Sequence, residues 1–345
     1  MSVAARGSES SAPAERQRAL PVDLPSLAIL ALLVLLPAFA SRFVLTEVFG
    51  LTFAFGIIAL SLQFLAGYGG MVSLVQMTVA GCAGYMVAIF GSSAVAEISL
   101  GWPWWVAIPV ALLLATVASA FVGLLAIRTD GIYTIMITLA ICAAFSYFTF
   151  QNYDIFNGYN GINGVTPPRV LGVDWTEPVA FYYLLLAFAA LSYLAALYVS
   201  CSTFGLALQG IRDSARRMEA IGYNVPAHRV AAYVFTGVIA AVGGILLLWH
   251  NGRISPGTIG VGAAIDILIM AVIGGIRHPI GPFIGALIFV CLSTFAMDIV
   301  EVVIPRERFK LVVGLGFLLV VLFSPDGVMG IVDRIRQSAR RDDAA

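Results

Sequence analysis

Apolar runs of about twenty residues follow one another along this chain with only short glycine-, proline- or arginine-bearing breaks between them. A helix needs about twenty apolar residues to cross the hydrocarbon layer of a bilayer. Ten such runs are placed near 24–41, 44–66, 71–94, 104–127, 132–150, 179–200, 230–250, 263–277, 280–300 and 309–324. Composition agrees: 60% of the 345 residues are hydrophobic and 11% charged, with a mean hydropathy of +0.97. A soluble domain carries about 25% charged residues, so the solvent for this chain is lipid. The expected class is an all-α membrane protein of about ten transmembrane helices. The third and eighth runs are the least regular and are candidates for re-entrant segments.

Basic residues orient the helices. With the N-terminus inside, thirteen arginines fall in inside segments: Arg6, Arg16, Arg18, Arg128, Arg212, Arg216, Arg217, Arg229, Arg277, Arg334, Arg336, Arg340 and Arg341. Six basic residues fall outside: Arg42, Arg169, Arg253, Arg306, Arg308 and Lys310. Gain or loss of one span would destroy this bias, so both termini are expected to be cytoplasmic. Residues 1–23 read as a disordered cytoplasmic tail, 24–325 as the transmembrane domain and 326–345 as a cytoplasmic C-terminal tail. Ala38-Phe39-Ala40 weakly resembles a signal cleavage site, but a second apolar run follows at once, which favours a retained first span.

Two groups of five spans make two halves of opposite orientation. Glycines interrupt the third span (Gly67, Gly69, Gly70, Gly81, Gly84) and the eighth (Gly274, Gly275, Gly281, Gly285). Broken segments at corresponding positions point to a midplane pathway in inverted-repeat transporters; the plainer alternative is that glycine lets helices approach closely. Polar residues within the spans are few. Gln63 and Gln76 flank the first glycine turn and suit a low-affinity substrate pathway. Asp266 is either a pathway acid or an acid favoured by a helix N-terminus.

The stretch 201–229 is the longest inside connection. Gly205 to Ile221 reads as one amphipathic helix with an apolar stripe of Leu208, Ile211, Ala215, Met218 and Ile221, an i,i+4 pair Asp213–Arg217, and a stop at Gly222 before Pro226. Such a stripe either lies on the lipid surface or fits a groove on a partner. The loop 151–178 is long for a membrane connection, with turns expected at Asn157 and Asn160-Gly161.

Other chemistries are disfavoured. The four cysteines are scattered with no CxxC pair, so no metal is expected. Formal net charge is zero, which argues against nucleic acid. Lys310 is the sole lysine and no GxxxxGK[ST] surrounds it, so any ATP hydrolysis takes place on another chain. No cofactor and no catalysis are expected.

Gly205-Leu-Ala-Leu-Gln-Gly-Ile-Arg-Asp followed by Ala220-Ile-Gly-Tyr-Asn-Val resembles the cytoplasmic loop of the permease subunits of branched-chain amino acid ABC importers, most of all the longer, M-type subunit. Leu65-Ala-Gly-Tyr-Gly-Gly-Met, Arg128-Thr-Asp-Gly-Ile-Tyr, Asn157-Gly-Tyr-Asn-Gly-Ile, Ile273-Gly-Gly and Phe323-Ser-Pro-Asp-Gly extend the resemblance over roughly residues 45–330. It implies a type II ABC importer-like permease in a bacterial inner membrane. It also implies a second permease subunit as heterodimer partner, two ABC ATPase subunits and a periplasmic substrate-binding protein, with lipid around the spans. Gly205, Ala207, Gly210, Ile211, Arg212, Asp213, Ala220 and Gly222 would form the ATPase-coupling segment. Gln63, Gln76 and Asp266 would line the substrate pathway, and Asn157, Asn160 and Gly161 would help receive the binding protein. Gln76 stands where many members have histidine, and Asp266 where glutamate is expected. These departures leave urea, short amides or aromatic acids as alternative substrates to branched-chain or related hydrophobic amino acids. An ion-coupled secondary transporter is the rival from another class.

Overall fold

The computed structural model describes residues 31–95, 97–129, 131–169, 172, 174–300, 314 and 327–330, with side chains within the last long helix described as far as 294. The proposed tails, 1–23 and most of 326–345, lie outside the described residues, as do most of the tenth predicted span and residues 24–30 of the first. Residues 31–38 form a helical segment of their own, closing on the tight turn Leu36–Ala38.

The described residues from 40 onward form one helical body. Its long helices are α1 (Val44–Tyr68), α2 (Gln76–Phe90), α3 (Trp104–Ala126), α4 (Ile132–Gln151), α5 (Pro178–Cys201), α6 (Thr203–Ala220), α7 (Val225–Asn251), α8 (Val261–Gly274) and α9 (Gly281–Val300). Six helices among the described residues are long and apolar enough to cross a membrane: α1, α3, α4, α5, α7 and Pro256–Gly274, which is α8 with the turn before it. The third predicted span, 71–94, is helical only over the 15 residues of α2. At 1.5 Å per residue α2 rises about 22 Å, short of the roughly 30 Å hydrocarbon layer. Residues 69–75 before it run as irregular chain around the glycine turn.

The core is built on α1 and α7. In α1, 83% of the most apolar window is buried by other helices, against 22% in α4. A helix apolar all round is stable in that central place, because every face finds a partner. α7 packs against α1, α2 and α3, while α8 and α9 pack on each other and on α1. Small residues set these approaches: Gly244 of α7 lies on the backbone of Ala80 in α2, and Gly285 of α9 on the carbonyl of Met270 in α8. A methyl group at either site would overlap backbone, as expected where close packing replaces the hydrophobic effect. α4 inverts the soluble pattern. Its buried positions are Thr134, Thr138, Cys142 and Thr149, while Ile132, Tyr133, Met136 and Tyr147 are exposed.

Connections gather at two ends of this body. One end holds the turns at 67–70, 128–131 and 275–280 with α6. The other holds 91–103, the loop 151–178 and 252–260. At that second end, strands β1 (Ile162–Asn163) and β2 (Arg253–Ile254) pair antiparallel, Ile162 opposite Ile254. Ala94 donates its N–H to the Asn163 carbonyl at 2.9 Å and Val165 to that of Gly252 at 3.1 Å. These contacts link segments that the ten-span reading puts on one face of the membrane.

Candidate functional site

α6 begins immediately after α5, at a sharp reversal. Ser202 caps it by accepting from the N–H of Gly205 at 3.3 Å. Gly205 faces the last carbonyls of α5, Val199 and Ser200, and a methyl there would strike them. The single helix expected over 205–221 is broken. Ser214 adopts an extended conformation (φ −163°, ψ 97°), and its hydroxyl accepts from the N–H of Arg217 at 3.4 Å. Serine is favoured at such a cap because its side chain replaces the missing helical acceptor. The second segment then folds back, so that Met218 Sδ lies 2.8 Å from where a Cβ on Gly210 would stand. The break also cancels the expected Asp213–Arg217 pair. Asp213 Oδ1 instead receives Nε and Nη2 of Arg212 at 3.1 and 3.0 Å. Gly222 (φ +98°) ends the segment, with Tyr223 N–H bonded to the Met218 carbonyl at 3.0 Å. That is the left-handed stop glycine permits.

The expected apolar stripe divides between two fates. Gly205, Ala207, Leu208 and Ile211 are buried against the chain itself. Leu206, Ile221 and Tyr223 are exposed, Ile221 at 73%. Arg212, Asp213, Ala220 and Gly222 lie on the exposed side, and Gly210 is half covered. The free apolar surface of α6 is therefore Leu206, Ile221 and Tyr223. Leu206 and Tyr223 fall outside the sequence stripe, the first on another face of the inner segment and the second beyond the stop at Gly222.

Arg212 Nη1 donates to the carbonyl of Gly67 at 2.5 Å, in the widened π-helical turn Phe64–Tyr68 that ends α1. The arginine stem passes over Gly70 (φ +66°), where a Cβ would lie 2.6 Å from its Cγ. On the other side of the same turn, Gln63 Nε2 donates to the Ile276 carbonyl at 2.8 Å, within the α8–α9 connection. Gln63 and Gln76 are both wholly buried. Ser61 Oγ lies 2.6 Å from the Ile58 carbonyl and 3.2 Å from Gln76 Oε1. One hydroxyl proton serves one of these acceptors, so the Gln76 amide is best turned with its nitrogen toward Ser61. Gln63 Oε1 has no hydrogen-bond partner among the described residues. Asp266 stands half-buried on α8 and, like the two glutamines, lines neither of the two large clefts below.

Those clefts lie at the opposite end. One of about 460 Å³ is walled by Trp102, Trp104, Trp175 and Trp249 with Arg169 and Asp174. The other, about 360 Å³, includes Thr46, Glu47, Phe181 and His250 and shares Trp175 and Trp249. Tryptophan collects at membrane–water interfaces, which accounts for this grouping. In the neighbouring loop, Asn157 takes the left-handed conformation (φ 58°) and donates from Nδ2 to the Gly161 carbonyl at 2.7 Å. Asn160 Nδ2 donates to Tyr153 Oη at 3.3 Å, and Gly161 lies against the Ile254 carbonyl. Asn157 and Gly161 thus shape the loop that seats β1 on β2.

The profile of the family described as branched-chain amino acid transport system / permease component matches residues 44–322. The chain belongs to that family. A curated relative, the high-affinity branched-chain amino acid transport system permease protein LivM of Escherichia coli (strain K12), is 22% identical over 325 residues, spanning 88% of this chain and 73% of its own. No solved structure matches. This permease is therefore a multi-pass membrane component of a transport system.

Proposed function

We propose that this permease is the membrane subunit of an ABC importer for branched-chain or related hydrophobic amino acids. α6 docks an ATPase subunit on the cytoplasmic face, and the 151–178 loop receives a periplasmic binding protein. A second permease subunit completes the membrane unit, with two ATPases below, in the bacterial inner membrane. The observation that carries this reading is α6 itself: an ordered pair of helical segments at one end of the body, exposing Leu206, Ile221 and Tyr223 beside Arg216 and Arg217. Its inner half is fastened to α5 and to the turn ending α1. A surface apolar yet firmly seated suits repeated loading by a partner.

Alternating access follows from such an arrangement. Closure of the ATPase pair displaces α6, and the spans it touches tilt between two packings. Ten spans in two inverted five-helix halves remain our preferred topology. Its support is that α2 and α8, at the third and eighth predicted spans, hold only 15 and 14 helical residues and are flanked by glycine. The pathway we favour passes Gln63, Gln76 and Asp266, where uncharged amides and one acid meet a substrate without holding it tightly.

The test is uptake of radiolabelled leucine by cells lacking their own importers. Cells expressing this chain with its cognate permease, ATPases and binding protein should accumulate leucine, and those with an ATPase Walker lysine replaced should not. Uptake that persists without hydrolysis and collapses with the proton gradient would overturn the reading in favour of ion coupling.

A further inference from the structure

We propose that Arg212 is the positioning residue through which displacement of α6 reaches both halves of the membrane body, by holding the carbonyl of Gly67. The inference rests on the reading of α6 as the ATPase-docking segment.

Four observations converge on that carbonyl. First, Arg212 belongs to the inner segment of α6, before the break at Ser214, and that segment is the one buried against the body through Ala207, Leu208 and Ile211. The outer segment carries Ile221. A load applied outside thus arrives at Arg212 across a bend. Second, Asp213 fixes the guanidinium with two N–H contacts to one oxygen, leaving Nη1 aimed at Gly67. The planar fork of arginine makes this division of donors possible, and lysine has no equivalent.

Third, Gly67 is one of the points at which α1 touches the second half of the chain. A Cβ there would stand 2.5 Å from the Ile276 carbonyl and 3.0 Å from Gln63 Nε2. Gln63 is itself bonded to Ile276. The order of contacts is therefore α6, Gly67, Gln63, then the α8–α9 connection. Fourth, residues 64–68 form a π-helical turn rather than an α-helical one. Such turns are rare and concentrate at functional sites. A widened turn that ends next to an irregular segment can change its hydrogen-bond register without breaking the helix behind it. One cation thereby biases an element that touches Gln63 and, one turn away through Ser61, Gln76.

The experiment uses the complete transporter in proteoliposomes: this chain, its partner permease, both ATPases and the binding protein. Two quantities are read for wild type, R212Q, R212K and D213N, namely ATPase retained on purification and substrate moved per ATP hydrolysed. R212Q should keep its ATPases while transport per ATP falls about tenfold, within the usual range of coupling factors. R212K should recover part of that loss, and D213N should give an intermediate defect, because its amide oxygen still accepts from the guanidinium but no longer carries the charge that holds it firmly. Should the R212Q chain fail to fold or to pair with its partner permease, D213N carries the same test. Unchanged transport per ATP in R212Q, or in D213N where R212Q fails, overturns the proposal. Loss of the ATPase from R212Q also overturns it, by making Arg212 part of the docking surface. Failure of wild type to retain any ATPase would instead strike the docking reading itself.

Discussion

At the scale of single residues, this permease places its scarce polar groups where hydrogen bonds can satisfy most of them. Gln63 and Gln76 are wholly buried, yet each leaves one amide atom without a partner among the described residues. An unsatisfied buried amide costs about 1–3 kcal/mol, so their retention favours a use that a closed, static packing does not reveal. If both flank the path, the spare atoms are available to a passing substrate. Q76A should then lower leucine uptake roughly five- to tenfold, the equivalent of about one hydrogen bond, and D266A should lower it too. ATPase co-purification should stay intact in both. Measured uptake equal to wild type in the two variants would remove them from the pathway. Arg212 illustrates the reverse case. Its ion pair with Asp213 is exposed and contributes only about 0–1 kcal/mol, so its aim at Gly67 matters more than its attraction to the acid.

At the scale of elements, the loop 201–229 is partitioned by its caps. Ser202, Ser214 and Asn224 each accept a backbone N–H three residues on, opening the two segments of α6 and then α7. The helices themselves were legible from apolar periodicity, and Gly222 was legible as a stop. The break at Ser214 was not, because a serine inside an amphipathic pattern is compatible with a helix until tertiary contact decides. That contact is Met218 on Gly210, a pairing no local pattern encodes. The same holds for β1 and β2, two-residue strands joined across some ninety positions. It holds too for Arg212 on Gly67, where both residues were noted but nothing in either segment pointed to the other. Since the break leaves Ile221 exposed, I221D should weaken ATPase retention. Burying an isoleucine is worth about 1.5–3 kcal/mol, so binding should fall at least tenfold by titration of detergent-purified permease with ATPase. Equal affinity for wild type and I221D would move the docking surface elsewhere on the body.

At the scale of the whole molecule, the account depends on sidedness. The ten-span order puts the turns at 67–70 and 275–280 on one face with α6, and the 151–178 loop with the chain after α7 on the other. Four contacts among the described residues each join segments that this order puts on one face: Arg212 with Gly67, Gln63 with Ile276, Ala94 with Asn163, and Ile162 with Ile254. A membrane explains why apolar helices such as α4 can turn hydroxyl groups inward and large apolar groups outward. The most direct test is thiol labelling of single cysteines in a chain freed of its four native ones. Ile221→Cys should resist a membrane-impermeant maleimide added outside intact cells, react once the inner face is opened, and become protected when the ATPases are bound. Tyr159→Cys should react from outside. Labelling of residue 221 from the exterior, or equal labelling with and without ATPase, would contradict the claim that α6 is the segment through which hydrolysis drives this permease.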